Sequence, residues 1–105
     1  MKREHLANFN IAGFTHYEGV LCFQELQIGT SLNVVLEEDN KFDARAVAIY
    51  FGDYKLGFIP RAENRIFHKL LKVGFKNFDM RIQRIDAAEH PENQVQVVVH
   101  LIGEQ

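Results

Sequence analysis

The sequence predicts a mostly β domain of α+β character, in which six strands and one or two helices build a small barrel. Three observations predict it. The chain has 105 residues, enough for one domain, and no linker, repeat or low-complexity tract divides it. Six short segments carry the alternation or the apolar runs of strands, with turn residues between them. One segment carries the periodicity of an amphipathic helix. The single domain is expected to span residues 1–105, with its core over about residues 8–102.

Residues 8–14 (Asn-Phe-Asn-Ile-Ala-Gly-Phe) alternate well enough to form a first strand. A loop or short helical stretch runs from Thr15 to about Ile28 and ends at the turn signal Gly29-Thr30. Ser31 to Glu37, with Leu32, Val34, Val35 and Leu36, reads as the second strand. Ala46 to Phe51 and Tyr54 to Ile59 pair as a hairpin about Gly52-Asp53. Pro60 ends that hairpin and suits the approach to a helix, where its missing N–H has no partner to lose. Ala62 to Val73 is the strong helix, with Ile66, Phe67, Leu70 and Leu71 on one stripe and Arg65, Lys69 and Lys72 off it. Gly74 stands where a left-handed C-cap is wanted. Phe78 to Ile85 and Gln94 to Ile102 are the last strands, and Val95, Val97, Val99 and Leu101 give the final one a buried face. OB-like barrels are the common solution for six strands and a helix in so short a chain.

The hydrophobic fraction of 47% and nine Phe residues suffice for one core without staples. Cys22 is the only cysteine, which excludes an internal disulfide and a multi-thiolate zinc site; among Val20, Leu21 and Phe23 it reads as a small buried hydrophobe. No apolar run approaches the length of a membrane span, so the expectation is a soluble, cytoplasmic protein without a membrane partner. The net charge of −2 hides an asymmetry. Between Tyr54 and Ile85 eight basic residues face only Glu63 and Asp79, giving that stretch +6 and the remainder −8. Such a division hints at a polyanion-facing surface, against the alternative of a solvated basic helix beside a basic strand.

No phosphate loop, nucleophile elbow or metalloprotease motif is present. Glu37, Glu38, Asp39 and Asp43 crowd one loop, but Lys41 and Arg45 occupy positions where a calcium loop needs ligands. These carboxylates read as structural, with Asp43 accepting backbone N–H bonds that shape the turn. The five His residues show no helical i, i+4 pair and none lies near the cysteine. Neither a catalytic centre nor a metal or cofactor is expected. Aromatic residues beside basic ones are the signature of single-strand binding, since rings stack bases while cations hold phosphates. Phe42, Tyr50, Phe51, Tyr54 and Phe58 interleave with Lys41, Arg45, Lys55 and Arg61, although a strand buries about half of such rings. His16 and Tyr17 sit in a loop after Gly13, where an imidazole and a phenol can stack on a base; the plainer reading makes Tyr17 an anchor and leaves His16 in solvent.

Gly13, Tyr17-Glu18-Gly19-Val20 and Gly29 precede two more specific segments. These are Leu36-Glu37-Glu38-Asp39-Asn40-Lys41-Phe42-Asp43-Ala44-Arg45-Ala46-Val47 and Leu56-Gly57-Phe58-Ile59-Pro60. In residues and spacing the chain resembles a HIRAN domain over nearly its whole length. That family occurs as the N-terminal module of Snf-type DNA translocases and as small free-standing bacterial and phage proteins, and this chain resembles the latter. The resemblance implies an OB-like six-stranded barrel and a role in DNA repair or replication-fork processing. It implies single-stranded DNA or DNA ends as the partner, in some members the free 3′-hydroxyl end, with a DNA-processing protein as a further partner. Carried over, Asn40 and Asp43 match the loop that receives the terminal nucleotide, with Asp43 accepting the sugar hydroxyl. Phe42 matches an aromatic of that pocket without its phenol. His16 stands where a stacking Tyr is expected, Thr15 where a phosphate-binding Arg is expected, and Phe58 replaces a His. Arg61 keeps a basic residue near the pocket, and Arg65 and Lys69, with Lys72, offer a helix face for the DNA backbone. Asn40 and Asp43 as pure loop-shaping residues stay open beside this. An adaptor domain without a DNA pocket is the alternative function, since the acidic remainder suits a basic partner. A metal-dependent nuclease using Asp39 and Asp43 comes third.

Overall fold

The computed structural model describes residues 2–103. Strands β1 (Arg3–Asn10), β2 (Ser31–Leu36), β3 (Val47–Phe51), β4 (Tyr54–Phe58), β5 (Phe78–Ile85) and β6 (Val95–Ile102) form one antiparallel sheet in the order β1-β6-β5-β2-β3-β4. Helix α1 (Gly19–Cys22) lies between two 3-10 turns, Phe14–His16 and Phe23–Glu25, and helix α2 (Asn64–Lys72) follows β4. Two residues past β1, Ala12 meets Phe58 of the opposite edge strand at a single rung, with backbone bonds of 2.9 Å each way. Inside the sheet β2 pairs with β5 only at Ser31↔Arg81 and Leu32↔Met80. The six strands therefore curl as an OB-like barrel does, but the sheet stays partly open.

The first strand starts five residues before its expected position and ends at Asn10 instead of residue 14. Gly13 adopts a left-handed conformation (φ 71°) and turns the chain into the first 3-10 turn, which carries Phe14 into the core. The alternation therefore holds through Phe9 and Ile11, both buried, and glycine geometry ends it at Gly13. Strand β3 runs between β2 and the edge strand β4, and Val47, Ala48 and Ile49 are fully buried; each large apolar side chain so buried contributes about 1.5–3 kcal/mol. Val47 and Ile49 meet Val95, Val97 and Val99 of β6, Met80 and Ile82 of β5, and Phe67 of α2 in one cluster.

Helix α2 is shorter than its expected span of 62–73. Its C-terminus closes as a Schellman motif about Gly74 (φ 90°): the Gly74 amide donates to the Leu71 carbonyl and the Phe75 amide to the Leu70 carbonyl, each at 3.0 Å. Phe67 and Leu71 face the core, but Ile66 is 44% exposed, so the stripe is narrower than its four apolar residues suggested. Cys22 is buried and its thiol is pushed up by desolvation. No helix among the described residues is long and apolar enough to cross a membrane.

Candidate functional site

Two connections bring the site together. The Ala12–Phe58 rung sets the end of β4 beside the Gly13–Tyr17 turn. A register shift between Ile49 and Tyr50 leaves Leu56 of β4 as an extra residue, a bulge that buries Leu56 and brings Lys55 against the Phe58 ring. Opposite them lies the loop from β2 to β3. Asn40 shapes that loop, its Oδ1 accepting the amides of Phe42 at 2.8 Å and Asp43 at 2.9 Å. Its Nδ2 donates to Glu37 Oε1 at 2.9 Å, so most of the Asn40 amide is spent within the protein. Of the two readings open for Asn40, loop shaping is the one the geometry displays.

These elements enclose an open cleft of about 370 Å³. Its walls include His16, Tyr17, Asn40, Phe42, Asp43, Phe58 and Arg61, together with Ala12, Gly13, Ala46 and Ile59. Seven residues proposed from sequence thus share one site, while Arg65 and Lys69 do not line it. Those two border a separate shallow depression on α2 with Ala62, Glu63 and Ile66.

The rings are not equivalent. Tyr17 and Phe58 pack edge to face with centroids 5.5 Å apart, so Tyr17 is both anchor and cleft wall. Phe42 stands at the loop tip, 86% exposed, an apolar face with no protein covering it. His16 is exposed at the cleft margin. Lys55, absent from the residues assigned to the site by sequence, ties the walls together. Its Nζ lies 4.4 Å from the Phe58 centroid and 5.0 Å from that of Tyr17, and donates to Glu37 Oε2 at 2.6 Å. Burial would raise the Glu37 carboxyl, but Lys55 and Asn40 outweigh it and hold it below its ordinary range. The signal existed in the sequence as Lys55 beside the aromatics, but only the bulge discloses the contact.

Asp43 is held from three sides. Its Oδ1 accepts the Arg45 amide at 2.9 Å; its Oδ2 accepts Asn64 Nδ2 at 2.9 Å, with Arg61 Nε at 3.7 Å. The Arg45 amide first, then Asn64 and the Arg61 guanidinium, keep the carboxyl below its usual range against the opposing effect of burial. Arg61 also donates to the Phe42 carbonyl at 2.8 Å. A guanidinium has five donors and a carboxylate about four acceptor sites, so both groups keep capacity for a ligand.

The charge asymmetry is partly cancelled in the folded chain. Lys55, Arg61, Arg81 and Arg84 of the basic stretch pair with Glu37, Asp43, Asp79 and Glu89. Among the described residues Arg65, Lys69, Lys72 and Lys76 enter no ion pair, and the first three follow Arg61 along α2. Among the same residues no group of three or more His, Cys, Asp or Glu side chains is arranged to hold a metal ion.

The description of the HIRAN domain family matches residues 5–101. A crystal structure of a protein from Lactobacillus plantarum is similar in fold, with a TM-score of 0.80 at 18% identity and 95% of each chain covered. No curated protein matches the chain.

Proposed function

The chain belongs to the HIRAN domain family, a family associated with DNA binding and processing, and on that premise we propose that its cleft binds single-stranded DNA and seats the free 3′-hydroxyl end. The observation that carries this reading is one cleft lined by exposed rings, a guanidinium and an ionised carboxylate. A base stacks on the open face of Phe42 or against His16, at about 1–3 kcal/mol per stacked base. Arg61 meets a phosphate with the donors that Phe42 and Asp43 leave free. Asp43 accepts the hydrogen of the terminal hydroxyl, which an ionised carboxylate can do and a phosphate cannot answer. Arg65, Lys69 and Lys72 continue the path of the backbone along α2, in keeping with their lack of ion pairs. In this reading the module is a binder and not an enzyme.

The test compares oligonucleotides ending in a 3′-hydroxyl or a 3′-phosphate by fluorescence anisotropy. The free end binds roughly tenfold more tightly, because the phosphate meets Asp43 with like charge and leaves the acceptor unpaired. Equal affinity for the two ends would refute end recognition, and no affinity for either would refute DNA as the ligand.

A further inference from the structure

Asn64 is the one buried polar side chain among the described residues, 1% exposed. It opens α2 three residues before Phe67 and seven before Leu71, on the stripe that faces the core. Its Nδ2 donates to Asp43 Oδ2 at 2.9 Å, while its buried Oδ1 has no hydrogen-bond partner. An unpaired buried carbonyl is destabilising, and an apolar side chain of similar size would fill the position without one. The core alone gives no reason for an amide here. The contact with Asp43 gives one.

Asp43 lines the cleft and Asn64 does not, so the amide reaches the carboxylate from behind. With the Arg45 amide on one oxygen and Asn64 on the other, the plane of the carboxylate is fixed by donors on both sides. A neutral donor matters. A lysine at position 64 would offset the charge of Asp43 and make the cleft tolerant of a phosphate. An aspartate would share a proton with Asp43 and turn the pair into a partial donor, as close carboxylates do.

We propose that Asn64 is a positioning residue that fixes the Asp43 carboxylate as a charged acceptor and so sets the preference for a hydroxyl over a phosphate at the 3′ end. The DNA part of this inference rests on the function proposed above. The charged groups that face Asp43 are Arg61 and Arg45, and both remain in the variants.

Two substitutions test it, Asn64→Leu, which removes the donor at similar size, and Asn64→Asp, which keeps the shape and removes the donor. Each is measured against oligonucleotides with free and phosphorylated 3′ ends, and the Asp43 carboxyl is titrated by carbon NMR without DNA. Asn64→Leu reduces the roughly tenfold preference to about twofold, raises the Asp43 midpoint, and leaves melting close to wild type. Asn64→Asp makes the preference depend on pH, with the phosphorylated end better tolerated where the pair holds a proton. A retained preference, with the Asp43 midpoint unmoved in both variants, overturns the proposal. If the wild-type domain itself shows no preference, end recognition falls and the titration still decides the role of Asn64: a raised midpoint upholds it and an unmoved one overturns it. Should Asn64→Leu fail to fold, the same two readouts are taken from Asn64→Asp.

Discussion

Replacing Gly57 by Ala reports on the rung that holds the cleft together. Gly57 has φ +147°, a conformation that L side chains rarely adopt. A Cβ there would stand 2.3 Å from the Ala12 carbonyl oxygen and 2.8 Å from Ile11 Cγ2. The oxygen is backbone and is itself the acceptor of the Phe58 amide, so relieving the clash means opening the Ala12–Phe58 rung. Two backbone bonds at about 1 kcal/mol each, with backbone strain of about 1–3 kcal/mol, give a loss of about 3–5 kcal/mol. That is a large share of the 5–15 kcal/mol typical of a folded domain. At roughly 4 °C or more per kcal/mol, the midpoint falls by about 12–20 °C. Urea unfolding followed by circular dichroism and by tyrosine fluorescence measures the loss, and Gly52→Ala serves as control. Gly52 also has a positive φ (56°), but no atom lies within 4 Å of its Cβ position, so only about 1 kcal/mol of strain applies. A Gly57→Ala domain that melts within about 4 °C of wild type would show that the chain takes up the Cβ without opening the rung, since a clash of that size otherwise costs far more.

Asp43, Glu37 and Asp79 all have lowered carboxyl pKa values in the folded chain. A lowered folded pKa gives stability that is full above the unfolded value and lost as the pH falls through the folded one. Melting is therefore expected to be level above about pH 5 and to decline below about pH 4, and Asp43→Asn shallows that decline. Affinity for single-stranded DNA falls steeply with salt, and replacing Arg61, Arg65 and Lys69 together by Ala flattens the slope by about two to three. An unchanged slope places the DNA elsewhere. Magnesium, manganese or zinc produces no cleavage of DNA; metal-dependent cutting abolished by Asp43→Asn would overturn the binding-module reading.

The strands and the helix were legible because their apolar spacing is local. Val95, Val97 and Val99 alternate, and all three are buried; Phe78 to Ile85 begins and ends where the pattern does. The opening strand was not so placed, because Gly13 breaks the chain by its backbone angle without breaking the alternation. The site was legible in part. Motif residues at Asn40, Asp43 and Phe58 converge with His16 and Tyr17 on one cleft, though 24 residues separate Asn40 from His16 in the chain. Arg65 and Lys69 were assigned by charge, and charge does not specify which way a helix face points. The sequence marks Lys55 only as one of several cations among the aromatics and does not mark Asn64 at all, for a common reason. Each acts through a neighbour distant in sequence, Glu37 for one and Asp43 for the other, and such pairs exist only once the sheet has curled. A polar residue on the apolar stripe of α2 was the available hint for Asn64.

The sparse pairing of the sheet has a consequence for how the molecule breathes. Strands β1, β6 and β5 form one ribbon and β2, β3 and β4 another. Among the described residues the ribbons are stitched edge to edge by the Ala12–Phe58 rung, the two β2–β5 pairs and the backbone bonds of Gly29 and Thr30 with Ile82 beside them. Hydrogen exchange should find its weakest protection at those seams, with the Ala12 and Phe58 amides exchanging through local opening well before Val97 or Ile49. The cleft straddles the first seam, with Ala12 and Gly13 on one bank and Phe58 and Ile59 on the other. A ligand seated there would act as a latch across the two ribbons, and the Ala12 and Phe58 amides are the ones whose exchange it would slow most.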